Sequence, residues 1–139
     1  WDTNKVTNMS EMFSYCENLK NLNLSGWDTS SLTQTNLMFQ YCRALTSLDL
    51  SSFDTSNVID MWSMFKGCES ITELNLSNFD TSSVTTMRGM FHRCHDLITI
   101  NLNSFEVEKL SYLKLKSWLR LLGNVDYNDF YKFLYDVHQ

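Results

Sequence analysis

The sequence contains no proline and only four glycines among its 139 residues. Chain reversals therefore depend on Ser, Asn, Asp and Thr, whose short polar side chains bond to nearby backbone groups and stabilise turns. No apolar run approaches the roughly 18 residues of a membrane-spanning helix, so we expect no direct membrane insertion. The chain opens on Trp1-Asp2-Thr3 with no signal peptide, and we expect it to be a fragment of a longer protein.

Clusters of positive charge and catalytic motifs are also missing. The net charge is -5 and no run of Lys and Arg occurs, which predicts no binding to nucleic acid or to an anionic membrane surface. The sequence has no Gly-x-Ser-x-Gly, no glycine-rich phosphate loop and no His-Glu-x-x-His. We therefore predict a protein that is not an enzyme and holds no cofactor. An enzyme would need a cluster of titratable groups with perturbed pKa values.

What the sequence does contain is a repeat with a period of 26 residues. Four units, 1–26, 27–52, 53–78 and 79–104, are followed by the start of a fifth that reaches residue 107. Residues at the same position in successive units form a column, and two columns are Trp1, Trp27, Phe53, Phe79, Phe105 and Asp2, Asp28, Asp54, Asp80. A strict period of this kind predicts a solenoid, because each coil buries its apolar face only against its neighbours.

Each unit carries two apolar spacings. Residues Val6, Met9, Met12, Phe13 and Cys16 recur at helical spacing, and the leucines that follow at 19, 22 and 24 end in strand alternation. The predicted fold class is an α/β repeat solenoid, similar to leucine-rich repeats, with one helical segment and one short strand in each coil. A second short strand in place of the helical segment is the open alternative.

The period is lost after Phe105. A dense apolar pattern from Leu110 to Leu122, ended by Gly123-Asn124, and a second pattern after Asp126 predict a C-terminal helical cap over residues 108–139. Such a cap would cover the open end of the last coil. No comparable segment precedes Trp1, so we expect either that an upstream part of the protein covers the first coil or that two copies associate end to end through it.

Three sequence motifs of the repeat point to a family. They are Leu-x-x-Leu-x-Leu, at 19–24 and 45–50, then Ser-x-Phe/Trp-Asp-Thr-Ser-x-Val, then Met-x-x-Met-Phe-x-x-Cys. This combination resembles the bacterial surface-protein 26-residue repeat family, a BspA-like relative of leucine-rich repeats in mollicute-type lipoproteins and Gram-positive surface proteins. The resemblance implies a location at the cell surface or outside the cell and a role in binding or adhesion. Its partner would be a protein or a glycan.

Repeated Cys and Asp residues raise the question of disulfides or metal sites. Because Cys16, Cys42, Cys68 and Cys94 share one column, we predict free buried thiols rather than bridges. A zinc site at His92-Arg93-Cys94-His95 is disfavoured, since no second ligand pair follows at the required spacing. The aspartate column could bind calcium between coils, but each Asp is expected to cap its own helix or turn, and no metal site is predicted.

Candidate ligand contacts lie where the repeat varies at exposed positions. Trp62 stands in a column of Ser10, Asn36 and Arg88, and together with Tyr15, Tyr41, Arg88 and Arg93 it has the composition of a binding hot spot. The alternative is simple variation of the repeat, with Trp62 packed against Met61 or a neighbouring coil. The outward strand positions include Asp49, Glu73 and Asn75 and predict a polar, hydrogen-bonding face. The column Glu17, Arg43, Glu69, His95 alternates in charge and predicts ion pairs between coils.

The function predicted from these features is a non-enzymatic binding or adhesion module. A structural spacer or self-association segment is the alternative within the same class of surface protein. A spacer would present uniformly polar outer faces, whereas a receptor would present an aromatic patch around Trp62 or a groove along the strands.

Overall fold

The computed structural model describes residues 1–106. Two short strands, β1 Glu73–Asn75 and β2 Thr99–Asn101, pair in parallel and form a two-stranded sheet. Three isolated parallel bridges link the same column through the units: Asn8 to Gln34, Gln34 to Asp60 and Asp60 to Thr86. Every one of these pairs joins equivalent positions of neighbouring units, so the units lie side by side in parallel.

The predicted α/β solenoid with helical segments is wrong, because residues 1–106 contain no helix. An α-helix would bond each N–H to the carbonyl four residues back. Here the N–H of Cys42 donates to the carbonyl of Phe39, three residues back, at 3.2 Å. The N–H of Phe39 donates to the carbonyl of Met64 in the next unit at 2.9 Å. The segment is therefore a succession of tight turns joined sideways to its neighbours.

Left-handed residues recur at two columns of this segment and separate its turns. The turn column consists of Glu11, Leu37, Ser63 and Gly89, and the tyrosine column consists of Tyr15, Tyr41, Gly67 and Arg93. All eight have φ between 51° and 73°, a region that interrupts a right-handed helix. Because each turn advances the chain by three or four residues, turns bury Met, Phe and Cys at the spacing that also marks an amphipathic helix.

The fold prediction also concerned the strands of each coil and a C-terminal cap. One strand per coil was expected, but within residues 1–106 only the third and fourth units have one. The alternative of a second strand in place of the helix is also not found there, since single bridges take its place. The predicted helical cap over 108–139 lies outside the described residues.

The core is built from columns of identical side chains. Phe13, Phe39, Phe65 and Phe91 form the phenylalanine column, whose successive rings stack with centroids 5.6, 5.6 and 5.8 Å apart. Interplanar angles of 6°, 4° and 3° show that the rings repeat with hardly any rotation. Methionines and leucines fill the space beside them, and Met38, Met64, Leu45 and Leu50 are buried. Burial of each such side chain contributes about 1.5–3 kcal/mol.

A buried threonine column, Thr3, Thr29, Thr55 and Thr81, joins the units through hydroxyl groups. The hydroxyl of Thr55 donates to the carbonyl of Asp80 at 3.0 Å and accepts the N–H of the same residue at 2.8 Å. Thr29 makes the same two bonds to Asp54, at 3.0 and 2.8 Å. One buried hydroxyl thus bonds to both the carbonyl and the N–H of one aspartate in the next unit, so neither backbone group is left without a partner.

The substitution Thr55→Val tests this role, because valine keeps the shape and removes the hydroxyl. We expect the free energy of unfolding, measured by urea denaturation, to fall by about 1–3 kcal/mol for each backbone group left without a hydrogen-bond partner. Thr85→Val is the matched control, since the hydroxyl of Thr85 also bonds to a neighbouring unit, at Ile59 (3.0 Å), but is exposed. We expect the control to change stability by less than about 0.5 kcal/mol. Equal losses in the two variants would contradict the assignment.

Candidate functional site

An open groove runs along the sheet face of the second to fourth units. Its volume is about 530 Å³, and its rim carries side chains of Asp49, Glu73, Asn75, Thr99 and Asn101. Leu74 and Ile100, paired across the two strands, also line it, but their side chains are buried in the core on the other face of the sheet, so strand backbone forms the floor. The structure therefore brings together three of the predicted contact residues, Asp49, Glu73 and Asn75.

Local turns hold two of these side chains in place. Asp49 accepts the N–H of Ser51 at 2.9 Å, and Asn75 accepts the N–H of Ser77 at 3.1 Å. Hydrogen bonds from the side chain and the backbone of Ser51 lower the pKa of Asp49, so this carboxylate stays charged. Each bond leaves the second lone pair of the oxygen and the remaining polar atoms of the side chain for a ligand.

The electrostatics of the groove are negative. Asp49 and Glu73 bring two carboxylates to the rim, and neither forms an ion pair within residues 1–106. The amide groups of Asn75 and Asn101 add donors and acceptors beside them. Such a surface can accept hydrogen bonds from the hydroxyl or amine groups of a ligand. Thr99 and Asn101 complete it, and the repeat period alone places them beside Glu73 and Asn75.

A second cluster forms around the predicted residues Tyr15 and Tyr41. Their rings lie 5.1 Å apart between centroids and are tilted by 35°. The guanidinium carbon of Arg43 lies 5.1 Å from the centroid of the Tyr41 ring, and the ammonium nitrogen of Lys66 lies 5.8 Å from it. Both distances fall within the range of cation–π attraction. Lys66 was not predicted as a site residue, since nothing in its own column marks it.

Arg43 also pairs with carboxylates of both neighbouring units. Its guanidinium nitrogens lie 2.9 Å from Glu17 and 3.4 Å from Glu69. The predicted alternation of charge is confirmed for these three residues, whereas His95 forms no ion pair in the described part of the chain. All three side chains are partly exposed, so each pair contributes about 0–1 kcal/mol and mainly aligns neighbouring units.

Gly67 interrupts the tyrosine column because Tyr41 occupies its space. A Cβ atom at residue 67 would collide with the ring atoms Cδ1 and Cε1 of Tyr41. The φ of +73° at Gly67 also favours glycine. In the next unit Arg93 takes the same position with a φ of 62°, so the column returns to a long side chain.

Trp62 stands apart from both clusters. Its side chain is 43% exposed, and it takes part in none of the ring contacts of residues 1–106. The backbone N–H of Trp62 donates to the side chain of Asp60 at 2.8 Å, and its backbone carbonyl accepts the N–H of Leu37 at 2.9 Å. Backbone register sets Arg88 beside it in the next unit, since the carbonyl of Arg88 accepts the N–H of Ser63. The predicted hot spot is thus divided between Trp62 with Arg88 and the tyrosine column.

The cysteine column is part of the core. All four cysteines are free, as predicted. The thiol of Cys42 donates to the carbonyl of Phe13 at 3.1 Å. The thiols of Cys68 and Cys94 make the equivalent bonds to the carbonyls of Phe39 and Phe65. Burial raises the pKa of Cys42 to about 11 and that of Cys94 to about 12. These thiols are protonated at neutral pH and are poor nucleophiles and poor metal ligands.

The aspartate column closes turns. Asp28, Asp54 and Asp80 each accept the N–H of the serine two residues on, at 3.0, 2.9 and 2.8 Å. The predicted capping therefore occurs at turns, not at helices. No group of three or more His, Cys, Asp or Glu residues in the range 1–106 is placed to hold a metal ion. The same range has no helix long and apolar enough to cross a bilayer.

These features define a tandem-repeat protein whose units are joined backbone to backbone and whose exposed columns vary. The chain belongs to the family described as "Mycoplasma protein of unknown function, DUF285", which matches residues 1–96 and, in a second match, 21–116. Comparisons with curated proteins and with solved structures give no match.

The collision between residue 67 and Tyr41 yields a testable prediction. Gly67→Ala adds a Cβ both to a left-handed residue and against the Tyr41 ring, whereas Gly26→Ala adds one at φ +79° with nothing within 4 Å. The left-handed conformation alone costs about 1–2 kcal/mol. We therefore expect Gly67→Ala to destabilise the protein more than Gly26→Ala in urea denaturation.

Tyr41→Ala supplies the companion test. In that background the collision is absent, so the cost of Gly67→Ala should fall to that of Gly26→Ala. An unchanged cost would show that the Tyr41 ring does not occupy the space above Gly67.

Proposed function

We propose that this chain is a non-enzymatic recognition module that binds a protein or glycan ligand at the cell surface through its strand groove. The observation that carries the proposal is the grouping of Asp49, Glu73 and Asn75 around one open groove. Concave sites in which a few polar groups converge and fix the orientation of a ligand are the usual form of a binding site.

The chemistry of the groove favours binding over catalysis. Its lining residues are Ser, Leu, Asp, Glu, Asn, Thr and Ile, so they include no His or Lys that would activate a hydroxyl group as a nucleophile. The thiols of Cys42 and Cys94 are buried in the core, which raises their pKa values. Polar side chains held by their own turns present a preorganised surface, which reduces the entropy lost on binding.

The surface location rests on family membership and on the repeat motifs. The family is one of Mycoplasma proteins, and the narrower resemblance to BspA-like surface repeats, carried by Met-x-x-Met-Phe-x-x-Cys and Asp-Thr-Ser, is part of the proposal. Trp62 is a second candidate contact. It is 43% exposed, while its column holds Ser10, Asn36 and Arg88 in the other units, so the turn does not require an aromatic ring there.

A test uses substitutions that the repeat itself supplies. Asp49→Asn and Glu73→Ser place residues in the groove that stand in the same columns of other units, such as Asn75 and Ser47. Screening the chain against arrays of surface proteins and glycans should identify a ligand. The double variant should then bind it at least roughly tenfold more weakly, because charge-assisted hydrogen bonds contribute about 1.5–3 kcal/mol.

Lys20→Thr is the matched control, since Lys20 lies outside the groove and Thr46 occupies its column. Trp62→Asn, which copies Asn36, measures the contribution of the tryptophan separately. Full affinity in the groove variant would contradict the placement of the ligand. A screen without any ligand would favour the alternative role of a spacer or self-association segment.

A further inference from the structure

The third and fourth units carry a basic surface formed by Lys66, His92 and Arg93. The N–H of Gly67 donates to the carbonyl of His92 at 2.8 Å, which sets the pair Lys66-Gly67 beside His92-Arg93. In residues 1–106 neither Lys66 nor Arg93 forms an ion pair, whereas Arg43 in the preceding unit has two carboxylate partners. The positive charge is therefore uncompensated in a chain of net charge -5.

The side chains of the basic surface interact electrostatically. The pKa of His92 is lowered by partial burial and then by the positive charges of Lys66, Arg93 and His95. Glu69, the carboxylate of this region that forms an ion pair, is engaged by Arg43 at 3.4 Å. An anion arriving at the basic surface would thus meet the charges of Lys66 and Arg93 without displacing a carboxylate from them.

Arg93 has a backbone conformation that does not favour its side chain. Its φ of 62° lies in the left-handed region, which glycine adopts with less strain than any other residue. Gly67 occupies the same column one unit earlier, so the turn forms without a side chain. The guanidinium of Arg93 is exposed and serves no core contact that the fold needs. The repeat therefore fixes the backbone conformation at residue 93 and leaves the exposed guanidinium available to a ligand.

We propose that the basic surface binds the carboxylate or sulfate group of an acidic glycan. Arg93 supplies a planar fork that matches a carboxylate or sulfate with two hydrogen bonds. Lys66 supplies a point charge and already lies over the ring of Tyr41, 5.8 Å from its centroid. A sugar ring can lie against this aromatic edge. The proposal does not depend on the strand groove, whose charge has the opposite sign.

The rest of the surface favours a short or sparsely charged glycan. Long polyanions such as nucleic acid need many phosphate contacts, whereas this surface offers the two cations Lys66 and Arg93. A protein partner needs about 800 Å² of contact on each side with a water-excluded centre, whereas three polar side chains on two neighbouring turns suit a single anionic group. The acidic glycan therefore fits the observed charges better than either macromolecule.

The experiment is isothermal titration calorimetry of the full chain with three defined probes: a heparin-derived sulfated hexasaccharide, a hyaluronan hexasaccharide with carboxylates only, and neutral chitohexaose. We expect one or both charged probes to bind and the neutral one not to bind. The preferred probe identifies whether sulfate or carboxylate is recognised. Affinity should fall as salt is raised, because the interaction is between exposed charges.

Arg93→Gly is the decisive variant because its two effects have opposite signs. It should weaken binding at least roughly tenfold and raise the melting temperature by roughly 3 °C, since glycine relieves the left-handed strain. Loss of affinity then cannot be attributed to unfolding. Lys66→Ser, which copies Ser14 of the same column, should weaken binding too, and Lys20→Thr should leave it unchanged.

Several outcomes would overturn the proposal. These are equal binding of chitohexaose, unchanged affinity in Arg93→Gly, or an equal loss in Lys20→Thr, which would indicate nonspecific attraction. Equal binding of hexaglutamate with the same variant pattern would assign the surface to an acidic protein instead. Asp49→Asn with Glu73→Ser should leave this binding intact, so failure here and failure of the groove are distinguishable.

Discussion

The structure depends on backbone hydrogen bonds between neighbouring units, in which the acceptor lies one residue before the position equivalent to the donor. In the second unit the N–H groups of Leu37, Phe39 and Tyr41 donate to the third unit at 2.9, 2.9 and 2.7 Å. Alternate residues can point their N–H sideways only because Leu37 and Tyr41 are left-handed, with φ of 61° and 56°. Insertion of one residue would shift this register and misalign the phenylalanine, threonine and cysteine columns together, because each column packs on its own copy.

This constraint separates structural residues from residues that are free to differ. The buried columns repeat almost unchanged because every member faces its equivalent across the unit boundary. Members of the tyrosine column vary from Tyr41 to Gly67 to Arg93 without altering the backbone conformation. The same holds at the groove, where Ser47, Glu73 and Thr99 share one column. Surfaces of opposite charge therefore arise on one scaffold, negative at the strands and positive at Lys66 and Arg93.

The 26-residue period is sufficient to predict that the units stack and which columns meet, but it does not predict the backbone conformation within each unit. Alignment of Cys16, Cys42, Cys68 and Cys94 was sufficient to predict free thiols, and outward strand positions were sufficient to find three groove residues. The helix prediction failed because Met9, Met12, Phe13 and Cys16 have a spacing that turns and helices share. Gly67 and Gly89 were the available signal for left-handed residues. In the second unit the same two columns hold Tyr41 and Leu37, whose residue types do not indicate that conformation. Contacts between units, such as Lys66 over Tyr41, depend on rotamers that no column pattern contains.

Through-hydrogen-bond scalar couplings in NMR test the stacking most directly, because each coupling names the nitrogen and the carbonyl carbon that share a bond. The structure predicts a coupling from the amide nitrogen of Phe39 to the carbonyl carbon of Met64, and likewise from Phe65 to Met90. A helical segment would instead couple Phe39 to Thr35, four residues back. Detection of the coupling to Met64 would establish the sideways ladder, and detection of the coupling to Thr35 would contradict it.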